Sequence, residues 1–335
     1  MEIGTGLFTC QRRPDDDRRM ADIYEEMLDL GRAIDRAGLA SAWVSEHHFA
    51  ADGYLPGTMP ALGALAAVTD EIEIGTCIAL APLYDPVRFA EDAATVDLLS
   101  DERFTAGLSI GYRDAEFEGF GVPKDERVDR TRETVELLRA AWSDGPLDHE
   151  ATFHDVPAEF EVTPTPAQNL PPVVLGGSAK PAVRRAARIA DGWIAPSSIS
   201  IGGVKKRIDD IERVRESEGI EGDFQVYVIQ HGFVGESEED AWERMRDGYL
   251  YLQRTYAEWF AGEPIESLPD ERVRELKEQA IFGTPDQVID GIERYRDALG
   301  DDIHFIFRTY HPGIGTDEMV TCIERLGDEV VPHFE

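Results

Sequence analysis

Two adjacent histidines are the first residues in this sequence whose types suggest chemistry. His47 and His48 follow the apolar run Ser41–Ser45 and are flanked by Glu46 and Phe49. Successive side chains at a strand end point in opposite directions, so at most one of the two histidines faces a pocket. That histidine could act as a general acid or hydrogen-bond a polar ring near neutral pH. The other interpretation is a histidine satisfied by backbone carbonyls, which we favour for His48.

A glycine-rich turn is the second candidate feature. Gly176, Gly177 and Ser178 follow an apolar run and stand a few residues before a helical segment. Two glycines let the backbone approach a ligand closely, and the free N–H groups of the next helix favour an anion such as phosphate. A plain strand-to-helix turn uses the same residues, so the pattern alone leaves both interpretations open.

Charged and aromatic residues close the last apolar run of the chain. Arg308, Tyr310 and His311 could hold an acidic substrate or a phosphate. In a chain with this many carboxylates, Arg308 could equally neutralise its acidic neighbours. The sequence leaves both roles open.

A metal site would require three or more converging ligands. His47, His231 and His311 could supply them, as histidines do in the metal-dependent hydrolases that have a barrel fold. No pair of histidines has H-x-H or H-E-x-x-H spacing. We therefore predict no metal.

Short β-rich runs alternate with helical segments along the whole chain. The predicted strands are Ile3–Phe8, Ser41–Ser45, Ile72–Ile78, Arg103–Ile110, Val173–Leu175, Gly192–Ala195, Phe224–Val234 and Ile303–Thr309. The predicted helices are Met20–Ala37, Pro60–Val68, Val87–Leu99, Arg130–Ala141, Ala182–Ala190, Val204–Glu218, Glu238–Trp259 and Asp286–Leu299. Eight of each predict a single (β/α)8 TIM barrel over residues 1–335, with functional groups at the carboxyl ends of the strands. The alternative is an open doubly wound sheet, but no G-x-G-x-x-G follows the first strand.

Two segments depart from a minimal barrel. Ser143–Leu170 is rich in Pro, His and Asp and lacks a helical period, which predicts an insertion before the fifth strand. Ala261–Ala280 is an acidic excursion before the last predicted helix. Insertions of this kind commonly form lids or oligomer contacts.

The charge of the chain is strongly negative. The sequence has 67 Asp and Glu against 33 Lys and Arg, a formal net charge of −34. This field repels phosphate backbones and anionic lipids, so we expect neither nucleic-acid nor membrane partners. Salt at about 1 M would screen most of the self-repulsion. Such a composition resembles that of proteins from salt-loving microbes, and we expect a halophilic archaeal source.

The cysteines and the N-terminal residues indicate the compartment. Cys10, Cys77 and Cys322 are odd in number and never in C-x-x-C spacing, which argues against a disulfide framework. The first twenty residues contain no apolar signal-peptide core, and no stretch of 18 apolar residues is present. We therefore expect a cytoplasmic protein.

Several long motifs resemble the bacterial-luciferase-like flavin-dependent oxidoreductases, and they occur in that family's order. The motifs are Ser41–Phe49 with Gly53–Pro56, Ile74–Arg88 with Ala90–Ser100, Gly107–Gly121, Leu175–Ser178 with Ala187–Trp193, and Phe282–Pro285. The resemblance covers most of the chain and is weakest over the two insertions. It implies a (β/α)8 barrel that binds a flavin at the carboxyl ends of its strands.

The resemblance also implies roles for individual residues. His47 matches the catalytic histidine near the flavin ring, and Cys77-Ile78 matches a pair that is joined by a cis peptide bond in many members. Gly177 and Ser178 match the turn on the phosphate side. The implied cofactor-binding residues are Cys77, Ile78, Ser109, Gly111, Tyr112, Gly176, Gly177 and Ser178.

One position departs from the family pattern and bears on the cofactor. Many FMN-using members have an arginine between the positions of Ser109 and Gly111, where this chain has Ile110. A sibling branch uses the deazaflavin coenzyme F(420) and transfers hydride without oxygen. The lead hypothesis is a monooxygenase that uses reduced FMN and O2 on a small-molecule substrate, and an F(420)-dependent oxidoreductase is the alternative. A flavin-binding protein without catalysis and a metal hydrolase are less favoured.

The lead hypothesis carries expectations about partners and surroundings. No NAD(P)H-binding motif is present, which fits a separate flavin reductase as the source of reduced FMN. Barrels of the family that this chain resembles commonly pair, which implies a homodimer that forms through the second and third predicted helices. Specificity is expected to lie in the loops Gly111–Lys124 and Ser143–Leu170. A water-excluding pocket is predicted from Phe8, Trp43, Tyr54 and Phe120.

Overall fold

The fold is a closed parallel barrel surrounded by helices. The structure, a computed structural model, describes residues 1–147, 149, 152–157 and 159–335. Its strands are β1 Glu2–Phe8, β2 Ser41–Val44, β3 Glu73–Thr76, β4 Ala79–Leu80, β5 Phe104–Ser109, β6 Val173–Gly176, β7 Gly192–Ala195, β8 Gln225–Val234, β9 Ile281–Gly283 and β10 Ile303–Arg308. Its α-helices are α1 Met20–Arg36, α2 Thr58–Ala66, α3 Pro86–Ser100, α4 Asp114–Phe120, α5 Arg127–Trp142, α6 Lys180–Ile189, α7 Ile201–Glu218, α8 Glu238–Ala261, α9 Asp270–Gln279, α10 Pro285–Leu299 and α11 Thr316–Arg325.

Eight strands close the barrel in the order β1-β2-β3-β5-β6-β7-β8-β10, and every pair is parallel. Strand β10 joins the two ends, because it pairs with β8 on one side and with β1 on the other. Strand β4 continues the line of β3 and pairs with β5, and β9 extends the end of β8. The predicted TIM barrel is confirmed, and the open doubly wound sheet is wrong.

The assignment of helices to the barrel differs from the prediction. The predicted helix Glu238–Trp259 exists as α8, but it is not one of the eight that cover the barrel. That position between β8 and β10 belongs to α10, and the last barrel helix, α11, was not predicted at all. Periodicity shows which face of a helix is buried but does not show which surface that face packs against.

Two further helices lie in segments that the sequence treated as loops. Helix α4 lies within the predicted loop Gly111–Lys124, with Asp114 and Glu116 in its first turn, where acidic side chains favour the helix dipole. Helix α9 occupies half of the acidic excursion Ala261–Ala280 and begins with Asp270. That excursion is therefore partly regular.

The insertion Ser143–Leu170 is irregular throughout its described part, as predicted. It is attached to the outer helices of the barrel. The Glu133 carboxylate of α5 accepts hydrogen bonds from the backbone N–H groups of Phe153 and His154. Gln168 donates to the Asp97 carboxylate of α3 through both its backbone N–H and its side-chain amide. These contacts hold the insertion against α3 and α5.

A cluster of apolar side chains fills the barrel beneath its carboxyl end. Its largest member, Trp43, is fully buried, and the Tyr227 ring meets it edge-on with 5.2 Å between ring centroids. The cluster consists of Leu7, Trp43, Cys77, Val174, Ile194, Tyr227 and Ile306. Because these apolar side chains fill the barrel interior, the polar residues at the strand ends above them face the carboxyl-end loops.

Among the described residues, no helix is both long enough and apolar enough to span a bilayer.

Candidate active site

A buried histidine–glutamate pair lies at the carboxyl end of the barrel. His47 follows β2 and is 6% exposed, and its Nδ1 lies 2.7 Å from Oε1 of Glu116. Glu116 belongs to the first turn of α4, which follows β5, so two different strand ends supply the pair. The sequence singled out His47 but not Glu116, which is 69 residues away along the chain. The available signal was an acidic residue shortly after a strand end.

Glu116 is held as an anion. Burial by itself would raise the pKa of its carboxyl, but the hydrogen bond with His47, the His48 backbone N–H and the charge of Arg113 lower that pKa below its ordinary value. An ionised carboxylate accepts the N–H of His47, which fixes the proton on Nδ1. The Nε2 atom is then the ring atom that can exchange a proton.

His48 points away from His47 and has a different partner. Its Nε2 lies 2.5 Å from Oε1 of Glu46, and the other carboxylate oxygen of Glu46 accepts from Leu80 N and the Tyr84 hydroxyl. The expected opposite orientation of the two histidines is therefore observed. The expectation that backbone carbonyls satisfy the His48 ring is wrong, because a buried carboxylate does so.

Helix α8 crosses the carboxyl ends of the barrel strands. Gly248 packs against the segment after β10, where a Cβ atom would lie 2.5 Å from the backbone oxygen of Pro312. Glycine permits this close crossing, since any side chain would collide with backbone. One turn further on, the Tyr251 hydroxyl donates to Asp52, which follows β2. The helix thus covers the barrel mouth from β10 toward β2.

The last turns of α8 bring aromatic rings against His47. The Trp259 ring centroid lies 4.5 Å from that of His47, and the Tyr256 hydroxyl lies 2.9 Å from the Tyr54 hydroxyl. We call these residues and their neighbours the aromatic wall. The aromatic wall consists of Tyr54, Tyr112, Tyr256, Trp259 and Phe260. Its α8 members were not predicted, because α8 was placed on the outside of the barrel.

The predicted water-excluding pocket is only partly correct. Tyr54 contacts His47, with 4.8 Å between ring centroids. Trp43 lies one layer lower, inside the barrel, and Phe8 packs on Tyr310 in the main core. Phe120 is half-exposed at the C-terminus of α4.

The strand-three pair lies where the barrel interior meets the site. The peptide bond between Cys77 and Ile78 is cis, as the resemblance implies. The Cys77 side chain belongs to the apolar interior, and burial raises the pKa of its thiol to about 12. A Cβ atom on Gly176 would lie 2.2 Å from the Ile78 side chain, so these two strand ends pack directly together.

The residues after β5 form a tight turn beside the histidine. The Gly111 N–H donates to Ser109 Oγ at 3.4 Å, and Gly111 has a φ of +68°. The next residue, Tyr112, stacks on Phe260 with 4.4 Å between centroids and lies 5.6 Å from the His47 ring. Its hydroxyl is buried and has no hydrogen-bond partner among the described residues.

The glycine-rich turn lies at the start of α6, on another part of the rim. The Gly177 carbonyl accepts from Trp193 Nε1 at 2.9 Å, and the Ser178 carbonyl accepts from Arg207 Nε at 2.8 Å. Helix α6 begins two residues later at Lys180, and no side chain caps its N-terminus. The uncapped backbone N–H groups at the start of α6 and the Arg207 side chain therefore lie at the turn, which suits a phosphate.

A cationic chamber is formed where β8 and β10 end. Arg308 is opposite His231 in the parallel register, and the rings of His231 and His311 stack 5.6 Å apart. Burial and the charge of Arg308 lower the pKa of His311 to about 3 and that of His231 well below its ordinary value. Both histidines are therefore neutral at physiological pH. Tyr310 points the other way, into the main core.

The three histidines considered for a metal site do not converge. His231 and His311 lie together, whereas His47 is paired with Glu116. Within the described ranges, no group of three or more His, Cys, Asp or Glu side chains could hold a metal ion.

Most of the buried polar side-chain atoms that lack a partner in the described structure lie at this end of the barrel. They are Thr9 Oγ1, Gln11 Oε1, Tyr112 OH, Glu116 Oε2, His231 Nδ1, Arg254 Nε, Arg308 Nε and Nη2, and His311 Nδ1. Buried polar groups are nearly always hydrogen-bonded, so a concentration of unpaired ones marks a place for a polar ligand. The set contains both donors and acceptors, which fits the mixed edge of a flavin ring.

A separate groove of about 980 Å³ opens at the amino-terminal end of the barrel. Its lining includes residues at the amino-terminal ends of β6, β7 and β8, among them Pro172, Asp191 and Gln225. Because functional groups of this fold gather at the carboxyl ends of the strands, the size of this groove does not make it the active site.

Comparisons with known proteins agree with this geometry. The model of the luciferase-like monooxygenase family matches residues 1–302. The oxygenase component of flavin-dependent trigonelline monooxygenase from Acinetobacter baylyi is 25% identical over 98% of this chain and 94% of its own length.

Solved structures with the same fold carry two types of cofactor in their names. The oxygenating constituent of 3,6-diketocamphane monooxygenase from Pseudomonas putida, in complex with FMN, superposes with a TM-score of 0.80 at 18% identity over 99% of each chain. The coenzyme F(420)-dependent tetrahydromethanopterin reductase from Methanopyrus kandleri gives 0.74 at 20% identity, over 100% of this chain and 99% of its own.

The family match spans nearly the whole barrel, including the strand ends that carry His47 and the glycine-rich turn. The prediction of an oxidoreductase of the flavin-dependent monooxygenase type is thus confirmed, and both predicted cofactor types occur among structures that share the fold. This chain belongs to the luciferase-like monooxygenase family.

Proposed function

We propose that this chain is the oxygenase of a two-component system that uses reduced FMN and O2 to oxidise a small organic molecule. The observation that carries the proposal is the buried His47–Glu116 pair, 2.7 Å apart beside the unpartnered polar atoms. The relative from A. baylyi, an oxygenase component by name, supports it over 98% of the chain. Coenzyme F(420) is the second candidate cofactor, which Ile110 favours.

The cofactor would lie between the glycine-rich turn and the histidine. Its phosphate would meet the N-terminus of α6, Lys180 and Arg207. Its ring would meet the strand ends that pack around the mouth. The ring-contacting residues we propose are Cys77, Ile78, Ser109, Gly111, Tyr112 and Gly176, with Gly177 and Ser178 on the phosphate side. When bound, reduced FMN supplies the electrons that activate O2.

His47 manages a proton in this proposal. Glu116 accepts the Nδ1–H of His47 and holds the ring in one orientation. Nε2 can then deliver a proton to the reacting group and recover it later, which is general acid–base catalysis. The negative charge on Glu116 also stabilises the protonated imidazole during the exchange.

The aromatic wall keeps water away from that proton transfer. Trp259 and Tyr256 lie over His47, and the Arg113 guanidinium lies 4.3 Å from the Trp259 ring centroid on the outer side. Exclusion of water strengthens the electrostatic effect of Glu116 on His47. It also limits side reactions that would compete with oxidation of the substrate.

Parallel titrations test the proposal. Purified protein in high-salt buffer is titrated anaerobically with reduced FMN and, separately, with reduced coenzyme F(420). We expect tight binding of reduced FMN and faster oxygen consumption once air is admitted. A clear preference for coenzyme F(420) would move the protein to hydride transfer, and binding of neither would overturn the proposed function.

The remaining partner and location proposals follow from the same function. A separate flavin reductase would supply reduced FMN, as the words "oxygenase component" in the name of the A. baylyi relative suggest. We propose a homodimer that pairs through α2 and α3, since Leu98 and Leu99 of α3 are exposed. The cytoplasm of a halophile is the proposed location, which the acidic composition supports.

A further inference from the structure

We propose that Arg308 binds a carboxylate group of the substrate, so that the organic molecule oxidised here is a small carboxylic acid. The inference rests on the proposed oxygenase function and adds the chemical class of its substrate. It is carried by the position of Arg308, by its lack of an acidic partner in the part of the chain that the structure describes, and by the donors around it.

The position of Arg308 follows from the alternation of β10. The Ile306 side chain belongs to the apolar cluster inside the barrel. Two residues further on, Arg308 points in the same direction, one layer nearer the carboxyl end. Its parallel neighbour on β8 is His231, two residues beyond Ile229, which packs against the same interior cluster. The guanidinium thus projects into the barrel mouth and not toward the outer helices.

Among the described residues, no carboxylate neutralises Arg308. The side chain is 3% exposed, and no ion pair joins it to an acidic residue in the described part of the chain. The acidic side chains of the site are already engaged, because Glu116 pairs with His47 and Asp52 accepts from Gln11. The alternative role considered for Arg308, the neutralisation of neighbouring carboxylates, is therefore wrong.

The two guanidinium nitrogens without a partner indicate which kind of acceptor would fit Arg308. Nε and Nη2 of Arg308 are both fully buried and lack a hydrogen-bond partner among the described residues. These two N–H groups lie on one edge of the planar guanidinium and point in parallel. A carboxylate presents two oxygens at the matching spacing, so it can accept both bonds at once.

A neighbouring histidine adds a third donor. The Gln253 side-chain amide lies 3.3 Å from His231 Nε2, and an amide N–H donates to a nitrogen lone pair. The proton of the neutral His231 ring then resides on Nδ1, which is buried and unpartnered in the described structure. Three N–H groups of this chamber therefore have no acceptor among the described residues. Because the histidines are neutral, the charge of the chamber is the single positive charge of Arg308, which matches a monoanion.

The proposed site for the cofactor phosphate lies on another part of the barrel rim. The glycine-rich turn and Arg207 lie at the ends of β6 and β7, and β7 and β8 separate β6 from β10 around the barrel. The other anion that could reach Arg308 is the negatively charged ring of reduced FMN. The test must therefore separate an acid in the substrate from a charge on the cofactor.

The experiment compares carboxylic acids with their neutral amides. Wild-type protein loaded with reduced FMN under anaerobic conditions is titrated with benzoate, phenylacetate and cyclohexanecarboxylate, and with the three corresponding amides, at one salt concentration. We expect at least one acid to bind about tenfold or more tightly than its amide, as loss of a charged hydrogen-bonded pair would give. Equal binding of acids and amides, or no binding of any of them, would overturn the inference.

Variants separate the two possible sources of the anion. In Arg308→Gln the preference for the acid should fall to about twofold or less, and in Arg308→Lys it should be intermediate, because lysine keeps the charge without the two-donor edge. Affinity for reduced FMN should change little in both. If Arg308→Gln instead weakens reduced FMN and leaves the acid preference intact, Arg308 serves the cofactor and the inference fails.

A matched control shows that the two failures are distinct. Arg207→Gln removes the arginine that contacts the glycine-rich turn, so it should weaken the binding of reduced FMN while the acid preference persists in FMN-saturated protein. Failure of wild-type protein to bind reduced FMN would defeat the proposed function. Thermal unfolding of each variant verifies that it is folded, and Arg308→Lys provides the test if Arg308→Gln is not.

Discussion

The pairing of His47 with Glu116 brings together two side chains that are 69 residues apart in the sequence, and the proposed proton transfer depends on this contact. A histidine with no fixed partner can adopt either tautomer and several ring orientations. A buried carboxylate removes that freedom and raises the basicity of the opposite ring nitrogen. Glu116 can do so because its own negative charge is supported by the His48 backbone N–H and by Arg113.

The variant Glu116→Gln tests this positioning role. We expect kcat to fall about 10- to 100-fold, because His47 loses the charge that supports its protonated form. The affinity for reduced FMN should change little, whereas the pH–rate profile should change, because the negative charge beside the proton-exchanging ring is gone. Rapid-mixing measurements of oxygen-dependent turnover between pH 5 and 9 would report both quantities.

The control for that experiment lies on the same helix. Glu118 of α4 is exposed, so Glu118→Gln changes the charge of the helix without touching His47. It should retain wild-type turnover and the wild-type pH profile. Equal losses in the two variants would show that the charge of α4, and not the contact with His47, matters.

At this scale the sequence indicates residue types more readily than their partners. His47, the glycine-rich turn and the strand-three pair could be singled out because each carries a local pattern. Glu116 could not, since its role depends on α4 folding back over the end of β2. The sequence left Arg308 with two roles, and they are separated only in three dimensions, where no carboxylate of the described residues pairs with it.

The elements outside the barrel repeat do different work on its two sides. Helix α8 covers the mouth, whereas the insertion Ser143–Leu170 is fastened to the outer helices through Glu133. Regular alternation in the sequence predicted the eight strands within one or two residues, because each has a compact apolar run. The same alternation misassigned α8, because an amphipathic helix over a pocket and one on a barrel surface have the same period.

Glu133 supports the insertion by an unusual number of hydrogen bonds to one carboxylate. Burial alone would raise its pKa, but three backbone N–H groups and His149 lower it from 4.5 to about 2. A carboxyl whose pKa is lowered by folding stabilises the native state above its unfolded pKa. That stabilisation is complete above about pH 4.5 and is lost as the pH falls toward 2.

The variant Glu133→Gln should release this anchor. We expect a loss of about 1–3 kcal/mol in the free energy of unfolding at pH 7, since several buried N–H groups lose their charged acceptor. The difference from wild type should shrink as the pH falls from about 4.5 to 2. Thermal unfolding across that range measures it, together with hydrogen exchange of residues 152–157.

The neighbouring Glu136 supplies the matched variant for that comparison. It lies on the same helix α5 but is exposed, so Glu136→Gln should leave both the stability and the hydrogen exchange near their wild-type values. If Glu133→Gln behaves like Glu136→Gln, the insertion is held by its other contacts, such as Gln168 with Asp97.

The net charge of −34 is a property of the whole molecule. Many ion pairs among the described residues join side chains three or four apart on exposed helix faces, and such pairs contribute little. Salt weakens these pairs but also screens the much larger excess of unpaired carboxylates. Repulsion among 34 excess charges should dominate, so salt should stabilise the fold.

Thermal unfolding in increasing KCl measures that balance. We expect Tm to rise steeply between 0.1 and about 1 M KCl and then to level off, because the Debye length has by then fallen to about 3 Å. A Tm that falls or stays constant over this range would contradict a halophilic adaptation. It would indicate instead that local ion pairs compensate the acidic surface.

The second property of the whole molecule is its assembly. Helix α3 ends in Leu98 and Leu99, which are 46% and 58% exposed, and it packs beside α2 on the barrel surface. Two adjacent exposed leucines on a barrel helix leave apolar surface that a second copy would bury. A two-fold dimer would use the same patch on both subunits. The proposed dimer therefore predicts a solution mass of twice the chain.

Light scattering in high-salt buffer tests both the existence of the dimer and the position of its interface on α3. The double variant Leu98→Asp with Leu99→Asp places two charges on each side of the proposed interface, where they would face like charges, so we expect it to be monomeric. Phe160 offers the control, since it is 57% exposed but lies on the insertion. Phe160→Asp should remain dimeric if the contact is specific to α3. If both variants keep the dimer mass, the subunits pair through another face, and if the wild type is already monomeric, the exposed leucines have no partner copy to explain them.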